Sequence, residues 1–189
     1  MFCPVTLIRR FGRTESGSVM AETVIILPIL IWSFMAMFVY WDSFRSMNTV
    51  QKAAYTISDT LSREMVQLPA TYFDGLRDVM DHMIDDQQSA KLRVTSITYN
   101  LAAKEYQVLW SYSPGSALPE LTTATLLSVK HRLPNMANAD SATIVETAVD
   151  YQPAFDVGMN AMTMHQFIVT RPRFVAPTCM IGRPCNGAT

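Results

Sequence analysis

The sequence Gly17-Ser18-Val19-Met20-Ala21-Glu22 leads directly into TVIILPILIWSFMAMFVYW, residues 23–41, a run without any charged side chain or histidine. As an α-helix, these 19 residues would extend about 28 Å, close to the roughly 30 Å hydrocarbon core of a bilayer. The stretch therefore predicts one transmembrane helix over about residues 22–41, with membrane lipid as its partner.

The charges that flank this run predict its orientation. Only one acidic residue, Glu15, accompanies the basic residues of the leader, which are Arg9, Arg10 and Arg13. Because basic residues favour the cytoplasmic side, residues 1–17 are expected in the cytoplasm and everything after Trp41 outside. A removed signal peptide is the competing interpretation. It fits poorly, since the apolar run exceeds the usual length of about 7–15 residues and residues 40–45 lack a small-x-small cleavage pattern.

The helix is predicted to continue beyond the membrane. Apolar residues recur at spacings of three and four until Pro69 interrupts the pattern, at Met47, Val50, Ala54, Ile57, Leu61, Met65 and Leu68. This spacing is typical of one buried helical face. The pattern predicts a single helix over residues 18–68, whose first part lies in the membrane and whose second part packs on an extracytoplasmic domain, residues 69–189.

The remaining sequence predicts a small antiparallel sheet. A second helix is expected from about Thr71 to Gln87, and strands are expected at residues 91–100, 105–113, 143–151 and 164–174. Residues 101–104 would form the turn of a hairpin, and a change in alternation before Ile97 indicates a β-bulge. The predicted fold class is α+β, with a long N-terminal transmembrane and amphipathic helix packed on this sheet.

The N-terminal pattern resembles that of the TadE/TadF-like minor pseudopilins of the tight-adherence (Tad/Flp) pilus system. The resemblance covers roughly residues 11–68 and rests on Gly17 followed by Glu22, on Ala21, on the pair Leu27-Pro28 and on the amphipathic residues 48–54. Major Flp pilins begin similarly, but they are far shorter and carry tyrosine after the glutamate. This chain has Thr23 there and about 148 residues after Trp41, which favours a minor component.

The resemblance implies a site at the start of the helix. A prepilin peptidase would cleave between Gly17 and Ser18 and free an α-amine on Ser18. That amine would pair with Glu22 of a neighbouring subunit and set the register of assembly, since a carboxylate inside a bilayer is costly without a partner. The alternative is that Glu22 lies at the level of the headgroups. The implied partners are the peptidase and the other pilins and pseudopilins of the Tad machinery, and the implied location is the bacterial inner membrane, single-pass, with a periplasmic domain.

Other functional classes find little support in the sequence. The net charge of −1 and the absence of a basic stripe argue against nucleic acid. We expect no enzyme activity, no cofactor and no metal site, because His82, His131 and His165 are far apart and no catalytic motif surrounds them. Two alternatives stay open: an unprocessed bitopic membrane protein whose periplasmic domain binds another envelope component, and, less favoured, a membrane-anchored periplasmic enzyme.

Two smaller patterns allow more than one interpretation. Cys179 and Cys185 are separated by five residues that include Gly182 and Pro184, which favours a small disulfide loop in an oxidising compartment. Two free thiols or half of a metal site are the alternatives. Asp78 and His82 are four residues apart on the second helix and could reach one metal ion, but a solvated acidic face is the favoured interpretation.

Overall fold

The computed structural model describes residues 16–84, 88–174 and 176–185. It confirms the predicted α+β class, in which a long N-terminal helix packs on a four-stranded antiparallel sheet. Most of the predicted leader lies outside the described residues, including its three arginines and Glu15. The end of the predicted second helix, Asp85 to Gln87, also lies outside them.

The N-terminal helix, α1, extends from Ser16 to Ser62 and contains Pro28. It is long and apolar enough to cross a membrane. Its residues belong to two compact units. The part up to Asp42 groups with the segment Pro153–Asn160, whereas Ser43–Gln152 and the chain from Ala161 onward form a second unit, here called the sheet domain.

Helix α1 ends at Ser62 and does not reach Leu68, so the predicted helix boundary is wrong. The backbone N–H of Arg173 donates to the carbonyl oxygen of Ser62 at 2.7 Å. Leu68 forms a parallel bridge with Met180, in which its N–H donates to Cys179 O at 2.9 Å and its carbonyl accepts from Ile181 N at 2.9 Å. The backbone of Leu68 is thus used by a segment distant in sequence, which helical periodicity does not reveal.

The other elements follow the predicted order. Helix α2 spans Ala70–Met83, and the strands are β1 (Ala90–Asn100), β2 (Glu105–Tyr112), β3 (Ser141–Tyr151) and β4 (Met162–Thr170). Between β2 and β3 lie a short 3₁₀ turn (Pro114–Ser116), helix α3 (Thr123–Leu126) and a 3₁₀ helix (Leu127–Arg132). The strand order is β2-β1-β3-β4, and every neighbouring pair is antiparallel.

The predicted hairpin and its bulge are both present. The pairing of β1 with β2 shifts register between Ser96 and Ile97, where the alternation of the sequence changes. Strand β4 is the less accurate prediction, since it ends at Thr170 and not at Phe174. Pro172 follows closely, and because proline has no N–H to donate, it cannot continue a ladder.

Both faces of the sheet are covered. On one face, Phe73 of α2 packs its ring 5.4 Å from that of Trp110 and 5.6 Å from that of Tyr112, and Ser58 of α1 hydrogen-bonds to Thr170. On the other face, the connection between β2 and β3 covers a cluster formed by Ile97, Tyr106, Leu121, Leu126, Met136, Ala142 and Ile144. The sheet is therefore the middle layer of its domain.

Candidate functional site

The predicted processing position lies in the first turn of α1. The helix begins at Ser16, so the Gly17–Ser18 peptide bond is helical. Gly17 is exposed, and a Cβ atom placed on it would meet no atom of the described residues within 4 Å. Neither close packing nor an unusual backbone angle requires glycine here, although glycine is a poor helix former compared with alanine.

Glu22 lies one turn further along the same helix and is exposed. Glu22 is four residues after Ser18, the residue that cleavage would expose. Directly after Glu22, the hydroxyl of Thr23 donates to the carbonyl oxygen of Val19 at 2.7 Å, which keeps this polar side chain satisfied within the helix. The structure thus places the three predicted residues in one short segment.

Most side chains from Val19 to Trp41 are exposed although they are apolar. Those more than half exposed include Val24, Ile25, Leu27, Ile29, Leu30, Trp32, Phe34 and Met37. An apolar surface of this extent on a soluble protein marks contact with lipid or with another protein. This part of α1 is therefore the principal candidate interaction surface of the described chain.

The same helix changes character within the sheet domain. Five of its apolar positions there are buried, namely Val50, Ala53, Ala54, Ile57 and Leu61. Phe44, Met47 and Tyr55 are exposed, so Met47 does not lie on the buried face that its spacing predicted. Hydroxyl groups on its other faces donate to the carbonyl four residues earlier, as Thr56 does to Lys52 at 2.9 Å. This part of α1 is held in the core of the sheet domain, whereas most side chains from Val19 to Trp41 are exposed.

The C-terminal cysteines form the predicted disulfide. Cys179 and Cys185 are bonded, with their Cα atoms 5.4 Å apart, a separation usual for such a bridge. Gly182 turns the loop with a φ of 78°, which L side chains rarely adopt. The closed loop contains Met180, which bridges to Leu68, so the disulfide constrains the segment that pairs with the chain after α1.

The predicted acidic face and the histidines hold no grouped ligands in the part of the chain that the structure describes. There, no three His, Cys, Asp or Glu side chains come close enough to share a metal ion. A ring nitrogen of His82 lies 3.2 Å from the carbonyl oxygen of Asp78 in its own helix. His82, His131 and His165 are all exposed. The predicted lack of a catalytic site stays a prediction.

Tyr72 and Tyr112 of the sheet domain donate hydrogen bonds to carboxylates. Tyr72 donates to Glu64 at 2.5 Å, and burial, followed by this bond and the charge of Glu64, raises the pKa of Tyr72 well above its usual value. Tyr112 donates to Asp74 at 3.3 Å, and burial also raises its pKa. Both phenols therefore stay protonated at neutral pH and support the fold.

One contact of α1 was not predicted. Phe155, in the loop between β3 and β4, packs edge-on against Phe38, with the ring centroids 6.4 Å apart. The only sequence signal was a phenylalanine within an otherwise turn-like segment, Gln152 to Ala161. Such a residue does not by itself indicate which element it contacts.

Comparisons with known proteins identify no relative, since no family model, no curated protein and no solved structure matches this chain. The resemblance to minor pseudopilins therefore rests on the N-terminal residues alone.

Proposed function

We propose that this chain is a minor pseudopilin, a membrane-anchored structural subunit that takes part in assembling a Tad/Flp-type adhesion pilus. The observation that carries the proposal is the composition of α1, in which an exposed apolar segment up to Trp41 continues into a segment that is buried in a folded domain. A subunit that leaves the membrane and joins a filament needs both parts. The first part contacts lipid and then neighbouring helices, and the second fixes the helix to its own domain.

Gly17 supports processing of this helix. The fold does not require glycine at this position, so its presence agrees with recognition by a peptidase that reads the residue before the cut. Cleavage would leave Ser18 as the first residue, with a positively charged α-amine near the apolar segment. The N-terminus would be cytoplasmic before processing, and the sheet domain would be periplasmic, where its disulfide is stable.

Glu22 supports a role in assembly. In a medium of low dielectric constant, a carboxylate is stabilised strongly by an opposite charge. The new amine of one subunit and Glu22 of the next would form such a pair, which would fix the axial position of each subunit. The pair is intermolecular, so Glu22 is expected to contribute to the assembly of subunits.

The experiment combines intact mass with a charge-removing substitution. The wild-type protein, purified from its native membrane, is expected to begin at Ser18, whereas Gly17→Ala is expected to stay full-length. Glu22→Gln is expected to be inserted and processed normally but to form few or no pili, counted by electron microscopy. Glu105→Gln is the matched control, because Glu105 is also an exposed glutamate but lies at the start of β2.

The outcomes separate the proposal from its alternative. A wild-type chain that starts at Met1 would support an unprocessed bitopic protein. Normal piliation in Glu22→Gln, at the level of Glu105→Gln, would remove the assembly role assigned to Glu22.

A further inference from the structure

The loop between β3 and β4 is packed against the end of the apolar segment of α1. Pro153–Asn160 and the helix up to Asp42 form one compact unit, and Phe155 contacts Phe38 in it. A lone helix leaves all its side chains accessible, yet Val39 is only 1% exposed and Met35 and Ala36 are half-buried. Another segment therefore covers this face of the helix, and the loop is the segment grouped with it.

The position of Phe38 along α1 gives the depth of this contact. Phe38 precedes Trp41, the last residue of the uncharged run, by three positions. At about 1.5 Å per residue, it lies about 4–5 Å inside the end of that run. If this segment spans a bilayer, Phe155 lies at the boundary between the headgroups and the acyl chains, where aromatic residues are enriched.

The chemistry of the loop suits this boundary. Phe155 remains 44% exposed although it touches Phe38, so part of its ring is available to a further partner. Tyr40 and Trp41, at the end of the apolar segment, are also about half exposed. Asp156 is the only charged residue from Pro153 to Met162. An aromatic side chain beside one acid, without a basic cluster, fits the interface of a neutral lipid better than an anionic surface.

Within the sheet domain, α1 and the end of β3 lie at the same end of the sheet. Gln88, just before β1, donates to the hydroxyl of Ser46 at 3.1 Å. Helix α1 therefore enters the domain at the end of the sheet where β1 begins. Ala90 pairs with Val149 near the end of β3, which places the end of β3 at the same end of the sheet. The loop that follows Tyr151 therefore leaves the sheet where the helix arrives.

We infer that the β3–β4 loop is a second membrane-contacting element, in which Phe155 inserts into the headgroup–acyl boundary of the bilayer beside the end of the apolar segment of α1. The inference rests on the proposed membrane span of α1. It adds a lipid contact made by a segment more than a hundred residues away in the sequence. The partner is the lipid surface itself.

The test measures the depth of single labels on the full chain in phosphatidylcholine vesicles. With Cys3 replaced by serine, an environment-sensitive fluorophore is attached to Phe155→Cys, and nitroxide lipids quench it from the headgroup region or from the end of the acyl chain. We expect the Phe155→Cys label to lose most of its fluorescence with the shallow quencher and much less with the deep one.

Two further labels make the result specific. Phe34→Cys reports whether α1 spans the bilayer, and its label should be quenched by the deep lipid. Leu101→Cys lies in the β1–β2 turn, at the other end of the 11-residue strand β1. This turn is about 35 Å from the end of the sheet where β3 ends, so the label should stay bright. Asp156→Cys, which retains Phe155, gives the same shallow signal and serves if Phe155→Cys does not fold.

Each contrary outcome has a distinct meaning. A bright Phe155→Cys label beside a quenched Phe34→Cys label would overturn the loop contact and leave the membrane span intact. A label at residue 155 that is shifted to the blue but unquenched would mean that protein covers it, which also overturns the lipid contact. Equal quenching at residues 155 and 101 would mean general adsorption of the domain. If no label is quenched, the membrane span and the proposed function fail together with the inference.

Discussion

Replacing Glu146 by alanine should destabilise the sheet domain by about 2–3 kcal/mol, because it leaves Arg93 poorly compensated in a nearly dry position. Arg93 and Glu146 are directly opposite one another on β1 and β3. Two guanidinium nitrogens of Arg93 lie 2.6 and 2.7 Å from one carboxylate oxygen, and the side chains are only 13% and 15% exposed. After the substitution, the acceptor that remains for Arg93 is the carbonyl oxygen of Pro119.

The neighbouring pair Lys91 and Asp150 is a matched control, since it joins the same two strands. Its nitrogen–oxygen distance is 2.8 Å, but the side chains are 38% and 59% exposed. Exposed pairs of this kind contribute less than about 1 kcal/mol, so Asp150→Ala should have a small effect. Lys91, followed by Thr163, holds the pKa of Asp150 below its usual value. Its contribution is therefore present above about pH 4 and is lost as the pH falls through the lowered pKa.

Urea unfolding of the full chain in a mild detergent measures both effects. Tryptophan fluorescence reports unfolding because Trp110 is buried in the sheet domain. The double variant Arg93→Met/Glu146→Leu is expected within about 1 kcal/mol of wild type, since apolar side chains of similar size remove the uncompensated charge. Equal losses of stability for Glu146→Ala and Asp150→Ala would refute the reasoning. So would a double variant that is no more stable than Glu146→Ala.

Two further variants follow from the packing of the sheet domain. Replacing both Cys179 and Cys185 by serine should lower the free energy of unfolding by about 2 kcal/mol in the chain-entropy model. It should also speed proteolysis between Ser62 and Leu68, because the disulfide stabilises the contact of Leu68 with the C-terminal segment. Unchanged cleavage there would contradict this. Among the described residues, the buried hydroxyl of Thr147 has no hydrogen-bond partner, so Thr147→Val should raise stability by about 1 kcal/mol, and a loss in the same urea titration would contradict it.

Features that depend on neighbouring residues could be predicted from the sequence. The uncharged run up to Trp41 identifies α1, since its length and polarity need no knowledge of other segments. The β1–β2 hairpin is equally local. Asn100 accepts from the N–H groups of Ala102 and Ala103 at 3.0 and 3.1 Å, a turn that asparagine stabilises by itself. The bulge before Ile97 was visible because it changes the alternation of side chains along one strand.

Features that depend on distant segments could not be predicted. Apolar spacing continued to Leu68, but the backbone of that residue pairs with Met180, and no helical pattern reports such a competition. The contact of Phe155 with Phe38 is of the same kind. In both cases the sequence indicates that a side chain is apolar, whereas only the fold shows which segment covers it.

The glycines show how the fold and the proposed function can be separated. Gly182 has a φ of 78°, so an L side chain there would strain the disulfide loop, and the fold alone explains its identity. Gly17 is helical and open to solvent. Alanine there would meet no clash and would favour the helix by up to about 1 kcal/mol. Within the described residues, the packing and backbone geometry therefore give no reason for glycine at this position. We propose recognition by a peptidase as the reason, and Gly17→Ala tests this without disturbing the sheet domain.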